Sequence, residues 1–187
     1  MRKAFVIIVL LFLAALTTRA QQFPLLDKSP ADIIYFPLKA PSSKDPEVKP
    51  IIKVIYSRPQ KNGREIFGVL EQFGKVWRVG ANESTEIKFF ETVKLGDKKI
   101  KHGTYSLFAI PNSDKWIIII NKITDKWGAF TYDQSADVAR IEVPVIKSSK
   151  TIEAFSITFI PTDSGAKMMM GWDNTIVEVP FVFSGKK

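Results

Sequence analysis

Apolar and polar residues alternate with a period of two along almost the whole chain, the spacing of strands that bury one face. Residues 31–38 carry the β-rich run Ile33-Ile34-Tyr35-Phe36 and predict a first strand. Residues 51–57 predict a second, with Ile52, Val54 and Tyr56 on one face. Between them, residues 40–50 hold Pro41, Pro46 and Pro50 and predict a surface connection, because proline cannot donate to a ladder. A short apolar piece at 66–70 lies between glycines, and residues 75–79 read as a strand turned by Gly80-Ala81-Asn82. Residues 85–93 alternate, with Ile87 and Phe89 inward and Glu86 and Lys88 outward. Leu95-Gly96-Asp97-Lys98 predicts a hairpin tip, and residues 103–111 and 115–122 form the clearest hairpin, joined by Asn112-Ser113-Asp114. Three further strands follow Trp127-Gly128, at 139–146, 151–161 and 167–183, the last broken at Gly171-Trp172-Asp173-Asn174. A 3.6-residue stripe is absent, and residues 135–140 could form one helical turn at most. This pattern of short strands and turns predicts a single all-β domain, an antiparallel β-sandwich or jelly-roll.

The first residues read differently. Arg2 and Lys3 precede an apolar run at 4–16, and Thr18-Arg19-Ala20 supplies small residues at the −3 and −1 positions of a cleavage site. The run is shorter than the roughly 20 residues that span a bilayer. The expected organisation is a signal peptide at 1–20, an N-terminal strand with its Pro-rich connection at 21–50, and the sandwich domain at 51–187. The product is expected to be exported, periplasmic or extracellular, without membrane insertion after cleavage.

Composition narrows the chemistry. The 187 residues include no cysteine, which removes disulfides, thiol catalysis, zinc–thiolate sites and iron–sulfur clusters together. The formal net charge is +8, and loss of Arg2, Lys3 and Arg19 with the leader lowers it by three. That bias favours anionic partners weakly. Neither an RNP-type aromatic motif nor a basic recognition helix occurs, so no nucleic-acid partner is expected. No metal or cofactor is expected either. His102 is the only histidine, no Gly-x-Ser-x-Gly elbow accompanies it, and Asp133, Asp137 and Asp163 are scattered without EF-hand spacing.

Several motifs stand together. Tyr56-Ser57-Arg58-Pro59 is followed by Gly63-Arg64, by Ile66-Phe67-Gly68, and by the run Gly74-Lys75-Val76-Trp77-Arg78-Val79-Gly80-Ala81-Asn82-Glu83. Gly103-Thr104-Tyr105-Ser106-Leu107-Phe108-Ala109-Ile110-Pro111 and Trp127-Gly128 come later. The composite resembles the domain-of-unknown-function 2911 family of exported bacterial proteins, over roughly residues 51–183. The resemblance implies export and one β-rich domain, and it places Arg58, Arg78, Asn82 and Glu83 in the family's characteristic motif. It brings no activity with it. Lys101-His102 departs from the Pro-Ala expected ahead of Gly-Thr-Tyr-Ser, as does the long Pro-rich connection.

The candidate chemistry gathers around that motif. Arg78 follows Trp77 in a strand, so with the indole in the core the guanidinium faces the other way. Arg58 shares a face with Tyr56 on the preceding strand, and two guanidiniums would suit a carboxylate, phosphate or sulfate. Asn82 and Glu83 lie at the turn beyond, where amide and carboxylate could orient a hydroxylated ligand. The competing reading is a purely structural network, in which Arg78 pairs with Glu83 and Asn82 serves as a turn residue that tolerates the left-handed region. Trp77, Trp116, Trp127, Trp172, Tyr105 and Tyr132 could offer faces for a sugar ring. Trp127 and Trp172, in turn-like segments, are the better placed of the tryptophans. Lys94, Lys98, Lys99 and Lys101 make a basic hairpin that reads as a solvated tip.

The leading expectation is non-catalytic binding of a small polar or anionic ligand, a glycan among them, at Arg58, Arg78, Asn82 and Glu83, with Trp127 or Tyr132 as an apolar wall. The alternatives are a hydrolase or lyase with Glu83 as general acid or base, and a structural subunit of the cell envelope.

Overall fold

The computed structural model describes residues 23–183. The signal peptide expected at 1–20 lies outside the described residues. Nine strands follow in chain order: β1 (Ala31–Phe36), β2 (Ile52–Ser57), β3 (Thr85–Phe89), β4 (Val93–Leu95), β5 (Lys98–Ile100), β6 (Gly103–Pro111), β7 (Lys115–Asn121), β8 (Asp137–Thr162) and β9 (Gly165–Phe183). They form one antiparallel sheet in the order β1-β2-β3-β6-β7-β8-β9-β4-β5. The helical content among the described residues is one 3-10 turn at Gln134–Ala136, overlapping the start of the 135–140 window expected to hold no more than a turn.

Alternation explains the sheet's inner face. Ile52, Val54 and Tyr56 of β2 and Thr85, Ile87 and Phe89 of β3 are buried, while Lys53, Ile55, Glu86 and Lys88 between them are only half-buried. Ile52 stands opposite Phe89 and Val54 opposite Ile87, so the apolar sets meet in register. A one-residue slip would turn either set to the other face.

Two departures from the predicted elements position the rest. The strands expected at 139–146 and 151–161 are a single 26-residue strand, β8. Its first part pairs with β7 and its later part with β9. The break expected at Gly171-Trp172-Asp173-Asn174 is also absent, because β9 runs through it. These residues are a site of altered register with Asp173 at φ 53°, opposite the irregular stretch of β8 between Lys147 and Ser156. A turn-like composition serves a bulge here.

The strand expected at 75–79 shrinks to one bridge. Trp77 pairs with Ala109 of β6 through both backbone bonds, and Val79 at φ 57° then ends the extended run. Gly80 follows at φ 151°, where a Cβ would stand 2.8 Å from the Ser57 carbonyl oxygen, so only glycine fits without a shift.

The later part of β8 returns to the first strands. Gln60 pairs with Ala154, Lys61 donates its N–H to the Glu153 carbonyl and Phe155 donates to that of Pro59. The core between is one contiguous cluster with an aromatic centre. Trp77 stacks on Trp172 at 6.1 Å, and Phe67 lies 4.8 Å from Trp116. Trp77 and Trp172 donate their indole N–H groups to the carbonyls of Gly80 and Glu153. Trp172 is 1% exposed, so the stacking face expected of it is spent in the core.

Candidate functional site

The motif side chains divide among separate environments. Arg58 is a strap. Its Nη1 contacts Asp32 at 3.0 Å, its Nη2 donates to the Ser156 hydroxyl at 2.8 Å and its Nε donates to the Phe155 carbonyl at 3.1 Å. Those acceptors come from β1 and the later part of β8, so the guanidinium ties the ends of the fold together. Tyr56 reinforces the strap by accepting the Ile157 N–H at 3.0 Å. Burial, the largest influence on that phenol, raises its pKa.

Asn82, Glu83 and Trp127 do come together. The segments around them pair: Ser84 donates its N–H to Lys126, Gly128 donates to the Asn82 carbonyl, and Glu83 and Trp127 form an antiparallel bridge. Asn82 sits at φ 59°, the left-handed conformation that asparagine tolerates at a turn. Directly opposed residues of an antiparallel pair carry their Cβ atoms on one face, roughly 4.5–5.5 Å apart. The Glu83 and Trp127 side chains therefore leave the backbone on one face, and Trp127 is 62% exposed.

Glu83 also lines a cleft of about 190 Å³ between β2, the 83–86 segment, β6 and the 122–127 loop. Four serine and threonine residues, Ser57, Ser84, Ser106 and Thr124, and three acids, Glu83, Glu86 and Asp125, contribute to its wall beside Ala31, Ile55 and Tyr56. The Ser84 and Ser106 hydroxyls lie 3.3 Å apart, and the Thr124 hydroxyl donates to Asp125 at 2.7 Å. By exposed surface the wall is mainly apolar, with hydroxyls already partly committed to one another and to Asp125 and with the Glu83 and Glu86 carboxylates beside them. Its three acids disfavour an anionic guest. Its volume is below the roughly 300–1,000 Å³ of pockets that enclose drug-sized ligands, and matches one small unit.

Arg78 and Tyr132 lie outside that wall. Arg78 is half-buried between the core residues Trp77 and Val79, and its Nε is buried without a hydrogen-bond partner among the described residues. The expected Arg78–Glu83 ion pair does not form among the described residues. Tyr132 packs edge-on against Phe108 and donates its hydroxyl to Asp137 at 2.6 Å while accepting from Arg140 at 3.1 Å. Burial, with the Asp137 carboxylate, pushes this phenol up to about 12. Its polar end is committed to the network that fixes the 122–136 loop, with Asn121 donating to Asp137 and to the Asp133 carbonyl.

Two features escaped sequence reasoning. The hydroxyls of the cleft come from four segments far apart in sequence and carry no local signal. Glu71 lies in the loop between Gly68 and Gly74, where nothing in its neighbours marks it. Burial pushes its carboxyl up to about 7, against the opposing pull of the Arg78 and Arg64 guanidiniums. No group of three or more His, Cys, Asp or Glu among the described residues could hold a metal ion.

No curated protein and no solved structure matches the chain. A family model does match, over residues 43–181, a span that holds Arg58 with its β8 acceptors but not Asp32, the Glu83–Trp127 bridge and every cleft-lining residue except Ala31. The chain belongs to the family described as "Protein of unknown function (DUF2911)".

Proposed function

We propose that this chain is an exported, sandwich-like binding protein whose cleft takes one unit of a neutral polyhydroxylated ligand, a glycan or free sugar, without catalysis. The observation that carries the reading is the Glu83–Trp127 pair beside a cleft whose wall carries hydroxyls. An exposed indole offers a face for the apolar C–H patches of a sugar ring, and an adjacent carboxylate accepts from its hydroxyls. Three acids in the wall favour a neutral guest over the anionic one that the motif arginines suggest in isolation. Export is supported by the basic, apolar and small-residue pattern of residues 1–20. The sandwich-like reading is supported by the later part of β8 lying against β2.

Thermal unfolding of the protein against a panel of mono- and oligosaccharides tests the reading. A ligand at 100 times its Kd adds about 2.7 kcal/mol, which in a domain of this size raises Tm by roughly 5–11 °C. Trp127→Ala and Glu83→Gln, both at exposed positions, are expected to abolish that shift while leaving the unliganded Tm within about 2 °C. A folded wild type that no sugar stabilises contradicts it.

A further inference from the structure

A larger cavity, of about 550 Å³, lies apart from the cleft where β1 passes into the Pro-rich connection. Phe36, Pro37, Leu38, Val48, Ile51 and Pro161 make its apolar wall, and Lys39, Ser43, Glu47 and Lys49 its polar part. Phe36 is the buried member of that wall. Its ring packs against Phe159 at 5.8 Å and Phe183 at 5.3 Å, so the cavity opens directly onto the aromatic core. β1 ends the sheet and pairs with β2 alone, and the later part of β8 approaches it without a ladder between them. The cavity thus occupies the mouth of an unpaired seam, roofed by the connection. The volume falls within the roughly 300–1,000 Å³ of pockets that enclose small ligands.

We propose that this cavity binds a free fatty acid, an unbranched alkyl carboxylate whose chain lies against the apolar wall and whose head group meets Lys39 and Lys49. The apolar wall favours a guest that leaves water with its chain and needs few hydrogen bonds along it. Lys39 and Lys49 are exposed, and neither forms an ion pair among the described residues. Glu47 offsets one of the two charges, so the lining carries a single net positive charge, which suits a monoanion better than a dianionic phosphate. The sugar cleft has the opposite balance, with three acids in its wall, so the two sites take different guests.

Hexanoate, octanoate and decanoate are the probes, each titrated into the protein by calorimetry below the concentration at which it forms micelles. Affinity is expected to rise by about fourfold for each added methylene, the equivalent of ~0.8 kcal/mol per buried CH₂. Leu38→Asp, at a position 50% exposed, is expected to abolish decanoate binding by placing a charge on the wall. Lys39→Glu combined with Lys49→Glu is expected to weaken it roughly tenfold and to preserve the dependence on chain length. Trp127→Ala is expected to bind decanoate as wild type does, which separates this site from the cleft. Failure of folded wild type to bind decanoate overturns the proposal, as does an affinity that ignores chain length or persists undiminished in Leu38→Asp. Unchanged affinity in the double lysine variant overturns the placement of the carboxylate. The chain-length series uses wild type alone, so it decides the matter even if Leu38→Asp does not fold.

Discussion

At Arg58 one side chain holds three acceptors drawn from β1 and β8. Hydrogen bonds to a charged group contribute about 1.5–3 kcal/mol, but the pair with Asp32 is partly exposed and screened. Arg58→Ala is therefore expected to cost about 2 kcal/mol overall and to lower Tm by roughly 4–8 °C, with no effect on sugar binding. Glu71 works the other way. Its pKa rises from 4.5 to about 7 on folding, so the folded state favours the protonated form. The group's contribution is fully present below pH 4.5 and is lost as pH rises through 7. Glu71→Gln is expected to stabilise the protein by about 1–3 kcal/mol at pH 8 and by little at pH 4, measured as denaturant midpoints at the two pH values. The motif Arg-Pro, Trp-Arg-x-Gly-Ala-Asn-Glu was legible in the sequence, but the division of labour within it was not. Arg58 and Arg78 are the same residue type on neighbouring segments, and only the fold decides which one finds Asp32.

Among the elements, most long strands were legible, the piece at 75–79 was overread and the short β4 and β5 were missed, and strand continuity was not legible. Period-two alternation marks which residues face inward, so β2, β3, β6 and β7 follow from it. It carries no information on whether a strand survives a bulge. Gly171-Trp172-Asp173-Asn174 has the composition of a turn, yet Trp172 is buried and its neighbours stay in β9. The glycine is there for close approach: a Cβ at Gly171 would stand 2.6 Å from the Ile152 Cδ1 of β8. Because that Cδ1 is the free end of a half-buried side chain that can turn aside, Gly171→Ala is expected to cost no more than about 1 kcal/mol. Ile152→Val removes that methyl, so the double variant should be more stable than the sum of the single changes predicts. Additive effects would show that the contact does not govern this position. Gly165, opposite Phe181, is less forgiving, since a Cβ there would lie 2.0 Å from a backbone oxygen. Gly165→Ala should therefore destabilise more than Gly171→Ala, and no side-chain change should rescue it.

For the whole molecule the core is one cluster, with Trp77, Trp116, Trp172, Phe67 and Phe155 in mutual contact where separate segments meet. Unfolding is expected to be a single transition, with tryptophan fluorescence and far-ultraviolet circular dichroism coinciding in denaturant. Separate transitions would divide that core. The same long-range closure makes the cleft, whose wall draws on β2, β6, the 83–86 segment and the 122–127 loop. Glu83 and Trp127 were legible as candidate residues, because an acid and an aromatic at turns stand out. Ser57, Ser84, Ser106 and Thr124 were not, since a serine in a strand has no signal until its neighbours across the sheet are known. The most direct measurement is amide and indole chemical-shift mapping of the protein titrated with the sugar that most raises its Tm. The account predicts shifts confined to Ser57, Glu83 to Glu86, Ser106, Thr124 to Trp127 and the Trp127 indole, and lost in Trp127→Ala. Shifts centred elsewhere, or none in a titration to millimolar sugar, would contradict a glycan site at this cleft.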